Sequence, residues 1–131
     1  MTAHALRKLC DPLGLDPALA TRLECDGMSR ALSFVLWRAG IEHSMVGGTV
    51  LFGTRCLAHY WLEAPRKSGG CWTIDYRLGM WFDRYSPWPM PCGVFNRERY
   101  DELCYLPSAS RPPLKSAVVF DILTCHRVPV A

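Results

Sequence analysis

Glu24-Cys25-Asp26-Gly27-Met28-Ser29 opens the most helix-like stretch of the chain, which runs on to Gly40. Met28, Leu32, Val35, Leu36 and Ala39 recur at helical spacing, while Arg30, Ser33 and Arg38 fall off that stripe. Gly40 is the expected stop signal. A residue at the head of such a helix sees unpaired backbone N–H groups and the positive end of the macrodipole. For a cysteine that setting favours thiolate, the form that attacks carbonyl carbon. Cysteine is not a preferred cap, whereas the neighbouring Asp26 is, so capping does not explain a thiol at this anion-favouring position.

Upstream of this helix, Asp16 is placed to cap a short helix over residues 17–23, with Pro17 at the favoured first position. Downstream, residues 41–52 read as a strand whose Gly47-Gly48 centre suggests a bulge. Residues 56–63 and 71–76 are β-rich, and Lys67-Ser68-Gly69-Gly70 between them reads as a hairpin turn. Helices followed by antiparallel strands make an α+β pattern, with N-terminal helices packed on a small antiparallel sheet. Residues 81–91 are dense in aromatics and prolines and are expected to form an ordered, irregular loop. Asn96 is expected to cap a short helix through residue 103, and residues 108–113 read as a turn-rich connector. Residues 117–124, apolar except for Asp121, read as one more strand. No internal repeat or second domain is evident, so residues 1–131 are read as a single domain.

Composition narrows the function classes. The chain is 50% hydrophobic and 21% charged, which favours a folded core over disorder. The net charge of +3 is modest and its basic residues are scattered among acids, so no nucleic-acid partner is expected. The first nine residues lack the basic start and apolar run of a signal peptide, and the apolar run at 31–37 is too short to span a bilayer. A cytoplasmic protein with no membrane partner is the expectation. The seven cysteines, at positions 10, 25, 56, 71, 92, 104 and 125, contain no Cys-x-x-Cys pair. Cys125-His126 lacks a second ligand pair, so no metal or cofactor is expected, and a disulfide framework is not expected either. Most of these thiols read as small buried hydrophobes.

A nucleophilic cysteine needs a base and an orienting group. His59 and His43 lie on neighbouring predicted strands and are rival bases, while His4 and His126 lie near the termini. Alternation places Thr73 and Asp75 on the face opposite Trp72, Ile74 and Tyr76. If His59 occupies the adjacent antiparallel strand, Asp75 can reach it at side-chain contact distance. Glu63 shares a strand face with His59 and is a possible substitute orienter.

Cys25 heading a helix, a strand carrying His59-Tyr60-Trp61-Leu62-Glu63, and then Trp72-Thr73-Ile74-Asp75 together resemble the transglutaminase-like branch of the papain-like cysteine enzymes. The segment around Glu24 to Gly27 is also similar to the Asp-Cys-Ser-Gly start of peptidoglycan-cleaving papain-like amidases, with Asp26 in place of the serine. The resemblance covers residues 21–76, and the remainder of the chain carries no motif of that kind. It implies a papain-like/transglutaminase-like core with Cys25 as nucleophile, His59 as base and Asp75 as orienter. It also implies a hydrolase or acyltransferase of the thiol protease, amidase or transglutaminase-like type, working on a protein or peptide-like substrate.

One departure from that pattern bears on catalysis. The chain contains no glutamine, so the glutamine oxyanion donor of papain-like peptidases is missing. The backbone N–H of Cys25 can serve as one donor. A second has to come from Thr21, a tyrosine, the Trp61 or Trp37 indole, or another backbone group, and losing one donor costs on the order of a hundredfold in rate. The cluster Trp81, Phe82, Tyr85, Trp88 and Phe95 reads as a satellite core or as one wall of a substrate cleft. Two classes follow: a cysteine enzyme acting on an amide or ester carbonyl through an acyl-thioester on Cys25, and a catalytically inactive papain-like binding module acting as an inhibitor or effector-like interaction protein.

Overall fold

A computed structural model describes residues 1–111 and 113. Three helices come first: α1 (Ala3–Gly14), α2 (Pro17–Ala20) and α3 (Cys25–Arg38). Strands β1 (Ser44–Phe52), β2 (Arg55–Pro65) and β3 (Cys71–Asp75) follow, then the single turn α4 (Gly79–Phe82), β4 (Gly93–Phe95) and β5 (Leu103–Arg111). The strands form one antiparallel sheet in the order β4-β3-β2-β1-β5. This is the mixed helix-and-sheet architecture expected from the chain. No helix among the described residues is long and apolar enough to cross a membrane.

Helix α1 is absent from the sequence reading. Pro12 and Gly14 in its last turn, with Arg7, Lys8 and Asp11 among its apolar residues, conceal a stripe of Leu6, Leu9, Cys10 and Leu13. Thr2 caps it by accepting from the Ala5 N–H at 3.1 Å. Tertiary packing then holds it: a Cβ on Gly14 would lie 2.4 Å from the Tyr76 ring, and the Tyr76 hydroxyl donates to Asp11 Oδ1 at 2.5 Å. Asp16 caps α2 as expected, through the Ala18 N–H at 2.9 Å, but the helix ends at Ala20 rather than at residue 23.

Two hairpins build the sheet centre. Gly53, at φ +59°, turns β1 into β2, and Gly69 and Gly70, both at positive φ, close the turn between β2 and β3. Strand β5 is the second departure from the sequence reading. Asn96 caps only a single 3-10 turn over Arg97–Arg99, through the Glu98 N–H at 3.2 Å. Residues 103–111 then pair along β1 rather than forming a helix end and a connector. Pro107, Ser108 and Ser110 look like turn chemistry locally, and pairing with β1 overrides it. The expected irregularity at Gly47-Gly48 is present, as a register shift against β5. A Cβ on Gly48 would come 2.2 Å from the Leu106 carbonyl oxygen, so only glycine fits that crossing. The aromatic segment contains α4 and a further 3-10 turn over Asp83–Tyr85 within otherwise irregular chain. The strand expected at 117–124 lies outside the described residues.

Apolar side chains fill both faces of the sheet. Leu6, Cys10, Met28, Leu32 and Leu36 from the helices pack on Leu62 and Ile74. On the other face Val46, Val50, Trp61, Phe95 and Tyr105 pack with Phe82 and Met90. In a flat sheet β4 and β5 would lie four strand spacings apart, about 19 Å. Instead the Phe95 and Tyr105 ring centroids are 6.4 Å apart. The sheet therefore curls so that its two edges approach across the inner face.

Candidate active site

Cys25 is the first residue of α3, as its sequence context predicts, and is 9% exposed. Glu24 occupies the N-cap position without a side-chain cap, and Asp26 pairs with Arg30 instead of capping. The first intrahelical bond runs from the Met28 N–H to the Glu24 carbonyl at 2.8 Å. The N–H groups of Cys25, Asp26 and Gly27 consequently have no carbonyl of their own helix.

His59 and Asp75 come together by strand register. Leu62 pairs with Ile74 and Glu63 with Thr73, so one further step sets Asp75 opposite Trp61 and diagonal to His59 on the same face. The His59 Nε2–H donates to Asp75 Oδ2 at 2.7 Å, with both side chains essentially withdrawn from solvent. Asp75 has two more donors. The Tyr105 hydroxyl reaches the same Oδ2 at 2.7 Å, and the Arg77 backbone N–H reaches Oδ1 at 3.0 Å. Three hydrogen bonds offset the cost of burying the carboxylate and fix its plane.

With Nε2 committed to Asp75, Nδ1 is the ring nitrogen left for the sulfur. It is buried and closes no hydrogen bond of its own. Burial works against the charged ring, but the charge and hydrogen bond of Asp75, followed by the influence of the nearby Cys25 thiol, together push the His59 pKa up to about 9. The Cys25 thiol is thus near enough to act on the ring electrostatically. A loose sulfur–imidazole contact is normal for an unliganded site.

A cleft of about 210 Å³ opens beside the pair, with Asp26, Gly47, Gly48, Ala58, His59 and Ser108 among its walls. Both Asp26, the residue after Cys25, and His59 line it. Tyr60, 39% exposed, stands at this cleft as well.

The rival assignments separate cleanly. His43 is buried with both nitrogens engaged, Nε2 with Ser33 Oγ at 2.7 Å and Nδ1 with the Ile41 carbonyl at 2.8 Å, and burial pushes its pKa down from the usual 6.5. It ties the α3–β1 connection to Ser33 in the second half of α3. Glu63 accepts from the Trp61 indole at 3.0 Å and pairs with Arg97, so it is not an orienter of His59. That indole is therefore already occupied. The Thr21 hydroxyl is spent on the Ala18 carbonyl, and Trp37 lies twelve residues along α3 from Cys25, about 18 Å away. None of these three side chains supplies a second oxyanion donor.

Two further residues shape the site. Tyr105 arrives from β5, which only the curl of the sheet brings to Asp75; no local motif marks it. Burial, with the charge and hydrogen bond of Asp75, raises its pKa well above 10, so it remains a donor. Arg77 is buried: Nε donates to the Leu23 carbonyl at 2.9 Å, and Nη1 donates to the carbonyls of Gly14 and Tyr76. It therefore ties the segment two residues before Cys25 to the strand end that carries Asp75. The Asp75-Tyr76-Arg77 adjacency is visible in the sequence, but a buried arginine is not predictable from it. Among the described residues no three His, Cys, Asp or Glu side chains cluster as a metal site requires. No known family model, curated protein or solved structure matches this chain.

Proposed function

We propose that this protein is a papain-like cysteine enzyme of the transglutaminase-like branch, acting on an amide or ester carbonyl of a protein or peptide-like substrate. The observation that carries the reading is the buried His59–Asp75 pair set against Cys25 at the start of α3. The starting state is an ion pair in which the thiol proton rests on His59 Nδ1, and in the first half-reaction the Cys25 thiolate attacks the carbonyl carbon. The tetrahedral oxyanion takes the Cys25 backbone N–H, and collapse breaks the C–N or C–O bond as His59 protonates the departing amine or alcohol. In the second, water or an acceptor amine attacks the thioester, gives its proton to His59, and frees the sulfur. Asp75 holds Nε2 as the donor throughout, leaving Nδ1 for both transfers.

The test is burst kinetics with an activated ester such as p-nitrophenyl acetate. One equivalent of p-nitrophenol should appear rapidly with an acetyl adduct on Cys25, and Cys25→Ser should show neither. A folded wild-type protein that forms no acyl adduct with activated esters contradicts the reading.

A second reading, an inactive binding module on the same scaffold, draws on the absence of glutamine from the chain and the near-burial of the thiol. It expects Cys25→Ser to retain the biological effect in full.

A further inference from the structure

Away from the catalytic cleft, a cavity of about 400 Å³ opens where the first half of α1 meets the β2–β3 turn and the 3-10 turn after β4. Its polar lining comes from Arg7, Arg66, Arg99, Ser68 and Asn96, and no aspartate or glutamate contributes to it. The catalytic cleft shares none of these residues.

Among the described residues none of the three guanidiniums is paired with a carboxylate. Arg7 donates to the Val94 carbonyl at 2.7 Å. Arg66 donates to Ser68 Oγ at 3.2 Å and lies over the Trp72 ring at 5.2 Å. The Arg99 side chain is exposed and makes no hydrogen bond or ion pair among the described residues. Its near neighbour Arg97, by contrast, is neutralised by Glu63. Three like charges around one cavity repel each other, and an anion between them relieves that repulsion.

The neutral groups point the same way. Asn96 has its Oδ1 engaged by the Glu98 N–H at 3.2 Å, which leaves its NH2 group to donate. Ser68 Oγ accepts from Arg66, which leaves its hydroxyl hydrogen to donate. The cavity thus offers donors at nearly every polar position and suits a ligand made of acceptor oxygens. Arginine forks match phosphate oxygens in geometry as well as charge. The space exceeds what a bare phosphate fills, and the rings of Trp72 and Tyr100 supply apolar wall for an organic group. We propose that this cavity binds a phosphate monoester, in a role independent of the acyl-transfer reading.

Isothermal titration of the full chain in chloride buffer, with inorganic phosphate, O-phosphoserine and adenosine monophosphate as separate probes, tests this. Saturable single-site binding of a monoester is expected. Arg99→Gln and Arg7→Gln should each weaken it by about tenfold or more, the equivalent of one charge-assisted hydrogen bond. Arg22→Gln, an exposed arginine outside the cavity, should leave the affinity within about twofold. Adenosine monophosphate binding more tightly than phosphoserine would place the base against the aromatic wall; equal affinities would mean that the phosphate group alone is read. Both results support a monoester site. No saturable binding of either monoester overturns the proposal, as does an equal loss in Arg22→Gln, which would mean general charge attraction.

Discussion

Replacing Asp75 by asparagine isolates the interaction on which the site depends. The substitution keeps the side-chain shape but removes the charge that holds the His59 proton. In the folded protein burial disfavours imidazolium, and Asp75 and Cys25 outweigh it to hold the pKa at about 9. Against an unfolded value near 6.5, that difference amounts to about 3 kcal/mol favouring the protonated ring. The sign follows from linkage. This stability is fully present below pH about 6.5 and is lost as pH rises through about 9, because the folded state then gives up a proton the unfolded state has already released. In Asp75→Asn the larger of the two favourable partners is gone and burial remains, so the ring should titrate at or below 6.5. Side-chain NMR of the imidazole read over pH 5–10, with urea unfolding at the same pH values, measures both quantities. The wild type should lose stability across this window and the variant should not. A variant whose His59 still titrates near 9 would refute the reasoning, because Asp75 could then not be the group that holds the proton.

Tyr105→Phe removes one donor from Asp75 Oδ2 without changing packing. It should cost about 1 kcal/mol of stability and, by leaving the carboxylate charge less satisfied, move the His59 titration further up; NMR and urea unfolding read the two effects. Arg77→Met retains the backbone N–H to Asp75 but removes the guanidinium hydrogen bonds to the carbonyls of Leu23, Gly14 and Tyr76. A loss on the order of 2–4 kcal/mol in urea unfolding is expected, with a lower acylation rate at Cys25 in the folded fraction. Gly48→Ala drives a Cβ into the Leu106 carbonyl, and thermal unfolding should show a cost of about 2 kcal/mol or more as β1 and β5 separate locally.

The parts of the fold legible in the sequence are those whose local pattern and tertiary role agree. Helix α3 has a stripe at helical spacing that becomes its buried face, and β2 and β3 are rich in β-branched and aromatic residues, with glycines where the turn needs positive φ. Helix α1 and strand β5 are obscured because Pro12, Pro107 and Ser108 speak locally against the structure that long-range contacts impose. The same distinction holds at the site. Cys25, His59 and Asp75 announce themselves through a helix start and strand alternation. Tyr105 depends on the sheet curling until its edges meet, and Arg77 depends on a buried cation satisfied by carbonyls; neither leaves a local trace. The separation of His59 from His43 likewise becomes clear only once both His43 nitrogens are seen to be occupied.

Competitive alkylation tests the central claim most directly, because access and chemistry predict opposite orders. Cys56, Cys71, Cys92 and Cys104 are exposed, whereas Cys25 is only 9% exposed. Iodoacetamide at substoichiometric ratio and near-neutral pH, followed by peptide mass mapping, ranks their reactivity. If Cys25 works with His59, it should be modified first despite its burial, and His59→Ala should drop it below the four exposed thiols. If wild-type labelling follows exposure and leaves Cys25 last, Cys25 is a buried structural cysteine and the enzyme reading is wrong.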